Sequence, residues 1–283
     1  MTIDAASPEL NTPALAPDVL ARSGALEARL ARNVAEVEAA QRLRFDVFYR
    51  EMHAQPTPEM AASGRDFDRY DAFCDHLLVF DHNAGSEVVG CYRLLRRAVA
   101  ERNGGFYSAA EYDLSELIAR SPKDAKFLEL GRSCVAKAYR SSQVMQFMWR
   151  GLLAYLIRND IELMFGCASL PGTDPGTMKL ELSYLHHFCS VPPELPQVRA
   201  LPERFVDMNL VPKEALNGQE ALHELPPLVK GYVRAGAYIG NGAVIDHQFA
   251  TTDVFIYFPT ARLDKRLRAF LSKHLKRDGP TAA

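Results

Sequence analysis

The 283 residues are 48% hydrophobic and 24% charged, enough chain to bury a large core, and the formal net charge of −2 carries no electrostatic signature of a nucleic-acid binder. The five cysteines, Cys74, Cys91, Cys134, Cys167 and Cys189, are odd in number and form no C-x-x-C pair, which argues against a disulfide framework or a zinc site and for reduced thiols in a cytoplasmic protein. No continuous apolar run is long enough to span a bilayer.

Residues 1–25 are rich in Ala, Pro, Ser and Thr and have neither the basic start nor the apolar stretch of a signal peptide. They predict a flexible tail ahead of a single domain over 26–283. A short strand over 27–32 leads to Asn33, with Glu36 three residues on, a capping-box pattern opening a helix to about residue 52. On that helix Arg44 and Phe48 share a side. A Pro- and Asp-containing loop (PTPEMAASGRDFDRYDAFCD) follows, then two strands, 76–81 and 87–95, joined by a turn-rich connection. A helical stretch around 109–119 precedes a strand over 127–136 (FLELGRSCVA). Ser141 and Ser142 then open a long helix over 143–159, followed by a strand at 162–168 and a helix at 178–188. The final third is more irregular, with a short helix at 227–235, a strand at 254–257 and a last helix over 262–276. Strands and helices mix without βαβ repetition, which predicts an α/β (α+β) fold with a mixed, largely antiparallel central sheet flanked by helices.

Three places hold groups that could do chemistry. The strand over 127–136 carries Glu129 and Arg132 amid apolar residues. A carboxylate there costs energy unless it is paired, so Glu129 is either half of an ion pair or a base with raised proton affinity, suited to accept a proton from an attacking amine. Strict alternation puts Glu129 and Arg132 on opposite faces, unless a bulge near Gly131 changes the phase. The turn Tyr139-Arg140-Ser141-Ser142 ends at a helix start, which is either an ordinary Ser-capped helix or a cradle for a phosphate. Asp66, Asp68, Asp71 and Asp75 crowd one loop, either as a solvated acidic segment or as a site for a cation, and their spacing does not fit an EF-hand. Cys134 has no sequence partner that argues for a nucleophile and reads as a small core residue.

Together the stretches LRFDVFYRE, FDRYDAFCDHLLV, EVVGCYRLLR and FLELGRSCV resemble the acyl-homoserine-lactone synthases. That resemblance implies the GNAT fold and an active site of Arg44, Phe48, Asp68, Asp71, Arg93, Glu129 and Arg132. MFGCASLPGTDP, LELSYLHHF and PPLVKGYVRAGAYIGNGAVIDHQFATTDVFIY are similar to a sister family, the ornithine–acyl carrier protein N-acyltransferases of bacterial ornithine-lipid synthesis. The resemblance covers roughly residues 26–259. It implies transfer of a 3-hydroxyacyl chain from acyl carrier protein to the α-amine of ornithine, giving a lyso-ornithine lipid; the alternatives are the same chemistry on glutamine or lysine, synthesis of the acyl-homoserine-lactone type, or an inactive GNAT-like binding module. Glu129 would be general base, with Arg132 and Arg93 orienting it or the substrate carboxylate. Asp68 and Asp71 would meet the acceptor's ammonium or organise their loop, beside Arg44 and Phe48. Arg140, Ser141 and Ser142 would hold the phosphopantetheine phosphate. The Arg-Ser-Ser turn lacks the glycines of the common acetyl-CoA loop, which agrees with a carrier-protein donor. A thioester is already activated, so no metal and no tightly bound cofactor is expected. The C-terminal segment ARLDKRLRAFLSKHLKRDG sets Leu263, Leu267, Phe270, Leu271 and Leu275 on one stripe with basic residues elsewhere. It predicts a basic amphipathic helix that packs on the core, or that meets the acidic carrier protein or the inner membrane surface.

Overall fold

A computed structural model describes residues 18–140 and 142–263. The strands are β1 (Val19–Ser23), β2 (Leu26–Leu30), β3 (Asp75–Asp81), β4 (Glu87–Arg96), β5 (Tyr112–Asp113), β6 (Phe127–Val135), β7 (Leu163–Pro171), β8 (Arg199–Ala200), β9 (Tyr238–Asp246) and β10 (Thr251–Pro259). They form one sheet in the order β1-β2-β3-β4-β6-β7-β10-β9-β8-β5. Every neighbouring pair is antiparallel except β6–β7 and β8–β9. The helices are α1 (Val34–Phe45), α2 (Pro58–Ser63), α3 (Arg97–Ala100), α4 (Ser115–Arg120), α5 (Ser142–Arg158), α6 (Lys179–Cys189), α7 (Gly218–Glu224) and α8 (Pro227–Ala235). This is the mixed, mostly antiparallel α/β architecture that the pattern predicts.

Side-chain alternation divides the core into two faces. Leu77 and Val79 of β3 pack with α5 residues such as Leu152 and Leu153 in the larger core, which also takes in α6 and α8 through Leu182 and Val229. Leu78 and Phe80 point the other way, into a cluster with Ala40 of α1 and with Phe45, Phe48 and Tyr49. On that second face Phe127, Phe165, Phe255 and Tyr257 form a further cluster beside α3 and α4.

Two expectations at the N-terminal end change. The tail ends earlier than residue 25, because Val19–Ser23 pairs with β2 and Val19, Leu20 and Ala21 are buried. The box at Asn33 is half made: Asn33 accepts from the Glu36 N–H, but the Glu36 carboxylate accepts from Arg29 and from the Arg32 N–H. A reciprocal box forms instead at Asp68 and Asp71. The helix of α1 does reach the expected length, its last turns continuing as a π-helix over Asp46–Glu51. The predicted helical stretch around 109–119 is broken into a 3-10 turn (Tyr107–Ala110), β5 and α4. From residue 264 on, the predicted C-terminal basic helix lies outside the described residues, where Leu263 follows a 3-10 turn at Thr260–Arg262. Among the described residues no helix is long and apolar enough to cross a membrane.

Candidate active site

The site begins where two parallel strands part. β6 and β7 pair for three residues, ending at Glu129 opposite Phe165; beyond that β7 follows β10 and β6 follows β4. The β7-facing backbone edge of β6 past Leu130 is therefore left without a strand partner. At the fork Gly166 has φ +155°, and a Cβ there would lie 2.2 Å from the Leu130 carbonyl oxygen, so only glycine lets the two strands approach this closely before they separate.

A cavity of about 460 Å³ occupies the fork. Met145 of α5 with Leu228 and Tyr232 of α8 lines it from the face that carries the larger core. Tyr107, Glu111, Glu129, Phe249 and Asp253 line it from the other. The cavity thus joins the two faces of the sheet through the gap between β6 and β7.

Glu129 is 4% exposed at the fork. Its Oε2 accepts the Tyr107 N–H at 2.7 Å, and its Oε1 accepts the Ser108 N–H at 2.7 Å and the Ser108 hydroxyl. Burial pushes its carboxyl up from the ordinary range, against these hydrogen bonds, which favour the ionised form. Three of its four lone-pair sites are filled, and one on Oε2 is left.

Arg132 does not obey simple alternation. Register shifts between Cys91 and Arg93 because β6 carries one residue more, and Arg132 sits in that bulge at φ +50°. The bulge turns Arg132 to the face of Glu129. Its guanidinium lies 3.3 Å from Asp66 and 3.4 Å from Asp68 and donates to the Tyr107 hydroxyl at 3.3 Å. Of the two phases that alternation leaves open, the structure shows the one with a bulge next to Gly131.

Around Arg132 lies an ion lattice. Arg44, 1% exposed, donates to Asp66 at 2.7 Å and to both oxygens of Asp71 at 2.8 and 3.0 Å. Arg93 donates to Asp68 at 2.6 Å. Tyr49 donates to Asp66 at 2.9 Å. For Asp68, burial pushes the carboxyl up, but Arg93, Arg132 and the Tyr70 N–H together hold it below its ordinary value. Three arginines therefore face three aspartates, and the lattice is neutral.

The predicted residues thus come together in two groups. Phe48, Arg93, Glu129, Arg132 and Arg140 line the cavity, whereas Arg44, Asp68 and Asp71 stand behind it in the lattice. Phe48 packs edge-on against Phe249 at 5.6 Å. Arg140 forms a two-bonded ion pair with Glu51 and donates its Nε–H to the Val135 carbonyl. Ser141 lies outside the described residues, and Ser142 is described only as the first residue of α5. Tyr107, Ser108 and the cavity carboxylates Glu111, Asp246 and Asp253 join the site without being marked by any motif of the sequence. The signal was available for Asp253, an acid heading an apolar strand just as Glu129 stands within one.

The family model described as Acetyltransferase (GNAT) domain matches residues 43–150, a span that runs from the end of α1 into α5 and includes Glu129 and Arg132. A solved CoA-dependent acyl-homoserine lactone synthase, BjaI, is similar over 88% of this chain and 89% of its own, at 16% identity and a TM-score of 0.48. The L-ornithine N(alpha)-acyltransferase of Rhizobium meliloti (strain 1021) is 49% identical over 255 residues, 89% of this chain and 86% of that one. Its counterpart from Brucella abortus (strain 2308) is 48% identical over 263 residues, 92% and 93% of the two chains. The chain belongs to the L-ornithine N(alpha)-acyltransferase family, and it is an acyltransferase.

Proposed function

We propose that the enzyme moves a 3-hydroxyacyl chain from an acyl carrier protein thioester to the α-amine of L-ornithine, giving a lyso-ornithine lipid. The observation that carries this reading is the cavity through the forked sheet, which lets a donor arm enter from one face and an amine from the other. The likeness to relatives named for ornithine acylation supports the acceptor.

In this reading the phosphopantetheine arm passes between the start of α5 and α8, and the thioester carbonyl lies against the unpartnered edge of β6. Backbone N–H groups on that unpartnered edge between Arg132 and Val135 meet the oxyanion as the amine adds to the carbonyl carbon, since the Ala136 N–H already donates to the Val89 carbonyl. Glu129 takes the proton from the amine, directly or through one water, at the lone pair left on Oε2. The C–S bond then breaks, the amide forms and the pantetheine sulfur leaves as a thiolate that regains a proton. Burial supports this role because it raises the proton affinity of Glu129. Arg132 and Arg93 are positioning residues: Arg132 holds the Tyr107 side chain, whose own N–H grips Glu129. Asp68 and Asp71 organise the arginines. Arg140 meets the donor phosphate after leaving Glu51.

The test is turnover by the purified chain with 3-hydroxyacyl-carrier protein and L-ornithine, read by mass spectrometry. The expected product carries ornithine in amide linkage and dissolves in organic solvent. Absence of that product, or faster turnover with the coenzyme A thioester of the same acid, would overturn the acceptor or the donor respectively.

A further inference from the structure

An α-amine is common to all amino acids, so the chemistry above does not explain a preference for ornithine. The cavity wall offers a reason. Glu111 follows the turn whose N–H groups hold Glu129, Asp246 ends β9 and Asp253 lies in β10. All three line the cavity, and one carboxylate oxygen from each lies within 4.8 Å of the others. Glu111 and Asp253 are 6% and 7% exposed.

These carboxylates are short of positive charge. Arg204, 3.4 Å from Glu111, is the one cation within 4 Å of any of them among the described residues. Their other partners are neutral: Asp253 accepts from the Thr251 hydroxyl at 2.9 Å, Glu111 from the Cys167 thiol at 3.2 Å, and Asp246 from the N–H groups of Gln248 and Phe249. The arginine–aspartate lattice a few residues away balances its charges one for one. Glu111 and Asp253, kept buried without that balance on the wall of a cavity and with the half-buried Asp246 beside them, are destabilising until a cation enters.

We propose, resting on the ornithine reading above and deepening it, that Glu111, Asp246 and Asp253 bind the side-chain ammonium of the acceptor and so select amino acids with a cationic side chain over neutral ones of the same shape. The α-amine then lies toward Glu129 and the side-chain ammonium toward β9 and β10. Both ends of the acceptor are read on one face of the sheet.

The experiment compares L-ornithine with L-norvaline, which has the same carbon chain without the terminal amine, using the full chain and a 3-hydroxyacyl-carrier protein donor. Wild type is expected to favour ornithine by about 10²-fold or more in kcat/KM, the range found when a buried charge loses its partner. In Asp253→Asn that ratio falls at least tenfold, through KM for ornithine. Asp246→Asn, at a half-buried position that tolerates an amide, gives the same direction if Asp253→Asn fails to fold. An unchanged ratio in folded variants would overturn the inference and leave ornithine acylation standing. Activity lost on EDTA treatment and restored by manganese would also overturn it, by making the cluster a metal site. Wild type that acylates norvaline as well as ornithine would overturn it too, whereas wild type that acylates neither would overturn the reading on which the inference rests.

Discussion

Replacing Glu129 with glutamine separates its two duties. As an anchor, the carboxylate accepts two backbone N–H groups and a hydroxyl. The amide keeps one carbonyl oxygen for Ser108 but turns an NH₂ toward the Tyr107 N–H, donor against donor, and the remaining bonds lose their charge assistance. Hydrogen bonds to charged groups contribute about 1.5–3 kcal/mol each, so losing one and weakening the others should destabilise the chain by about 2–4 kcal/mol. Loss of the buried charge offsets part of that. As a base, Glu129 should contribute about 10²–10⁴ to the rate. Urea unfolding gives the first quantity, and ornithine acylation at saturating substrates gives the second. Ser108→Ala is the control: it removes one hydroxyl donor and leaves the carboxylate, so it should cost about 1 kcal/mol and keep the rate within roughly tenfold. A folded Glu129→Gln enzyme with a rate within threefold of wild type would refute the base assignment and leave the anchor alone.

Arg44→Ala should cost about 3–5 kcal/mol, because Asp66 and Asp71 are then buried without their guanidinium; a urea midpoint implying under 1 kcal/mol would contradict the lattice. Arg140→Ala should raise KM for the carrier-protein thioester about tenfold with kcat preserved, as loss of uniform binding does, and a fall in kcat at constant KM would dismiss the phosphate contact. Asp253 is held protonated up to about 6 by burial, with the Glu111 charge adding to it, against an ordinary 3.8. The folded chain therefore holds more protons than the unfolded one between those pH values, and above about 6 the ionised group destabilises it by about 3 kcal/mol. Asp253→Asn should raise the thermal midpoint at pH 8, with the gain fading toward pH 4; an equal gain at both would show that ionisation is not the cause.

The parts of the fold that could be read from the chain are those whose local pattern and tertiary role agree. β3, β4, β6, α5 and α8 fall within a residue or two of their expected limits because apolar alternation or a long apolar face marks each one. β1 was hidden because its five residues, VLARS, sit beside an Ala- and Pro-rich stretch. β9 was hidden because its glycines, Gly240 and Gly242, weaken the strand pattern. The site followed the same rule. Glu129 and Arg132 stand out as charges in an apolar strand and Arg93 follows from the resemblance, but the bulge that turns Arg132 to the face of Glu129 depends on pairing with β4, which periodicity does not encode. The acidic wall assembles from segments far apart in the chain, and no local spacing announces it.

The two acidic groups differ in charge balance, and that difference assigns their work. Asp66, Asp68 and Asp71 look in the sequence like a cation site, yet each already faces an arginine. A second cation among them would have to displace Arg44 or Arg93, both nearly fully buried, and leave a guanidinium without its partner. Glu111, Asp246 and Asp253 face a single, partly exposed arginine, and an incoming ammonium would displace nothing. With the side-chain amine of the acceptor at the second group, as proposed, no existing ion pair has to break. That leaves the α-amine as the one near Glu129 and the thioester, which is the regiochemistry that an Nα-acyl product requires.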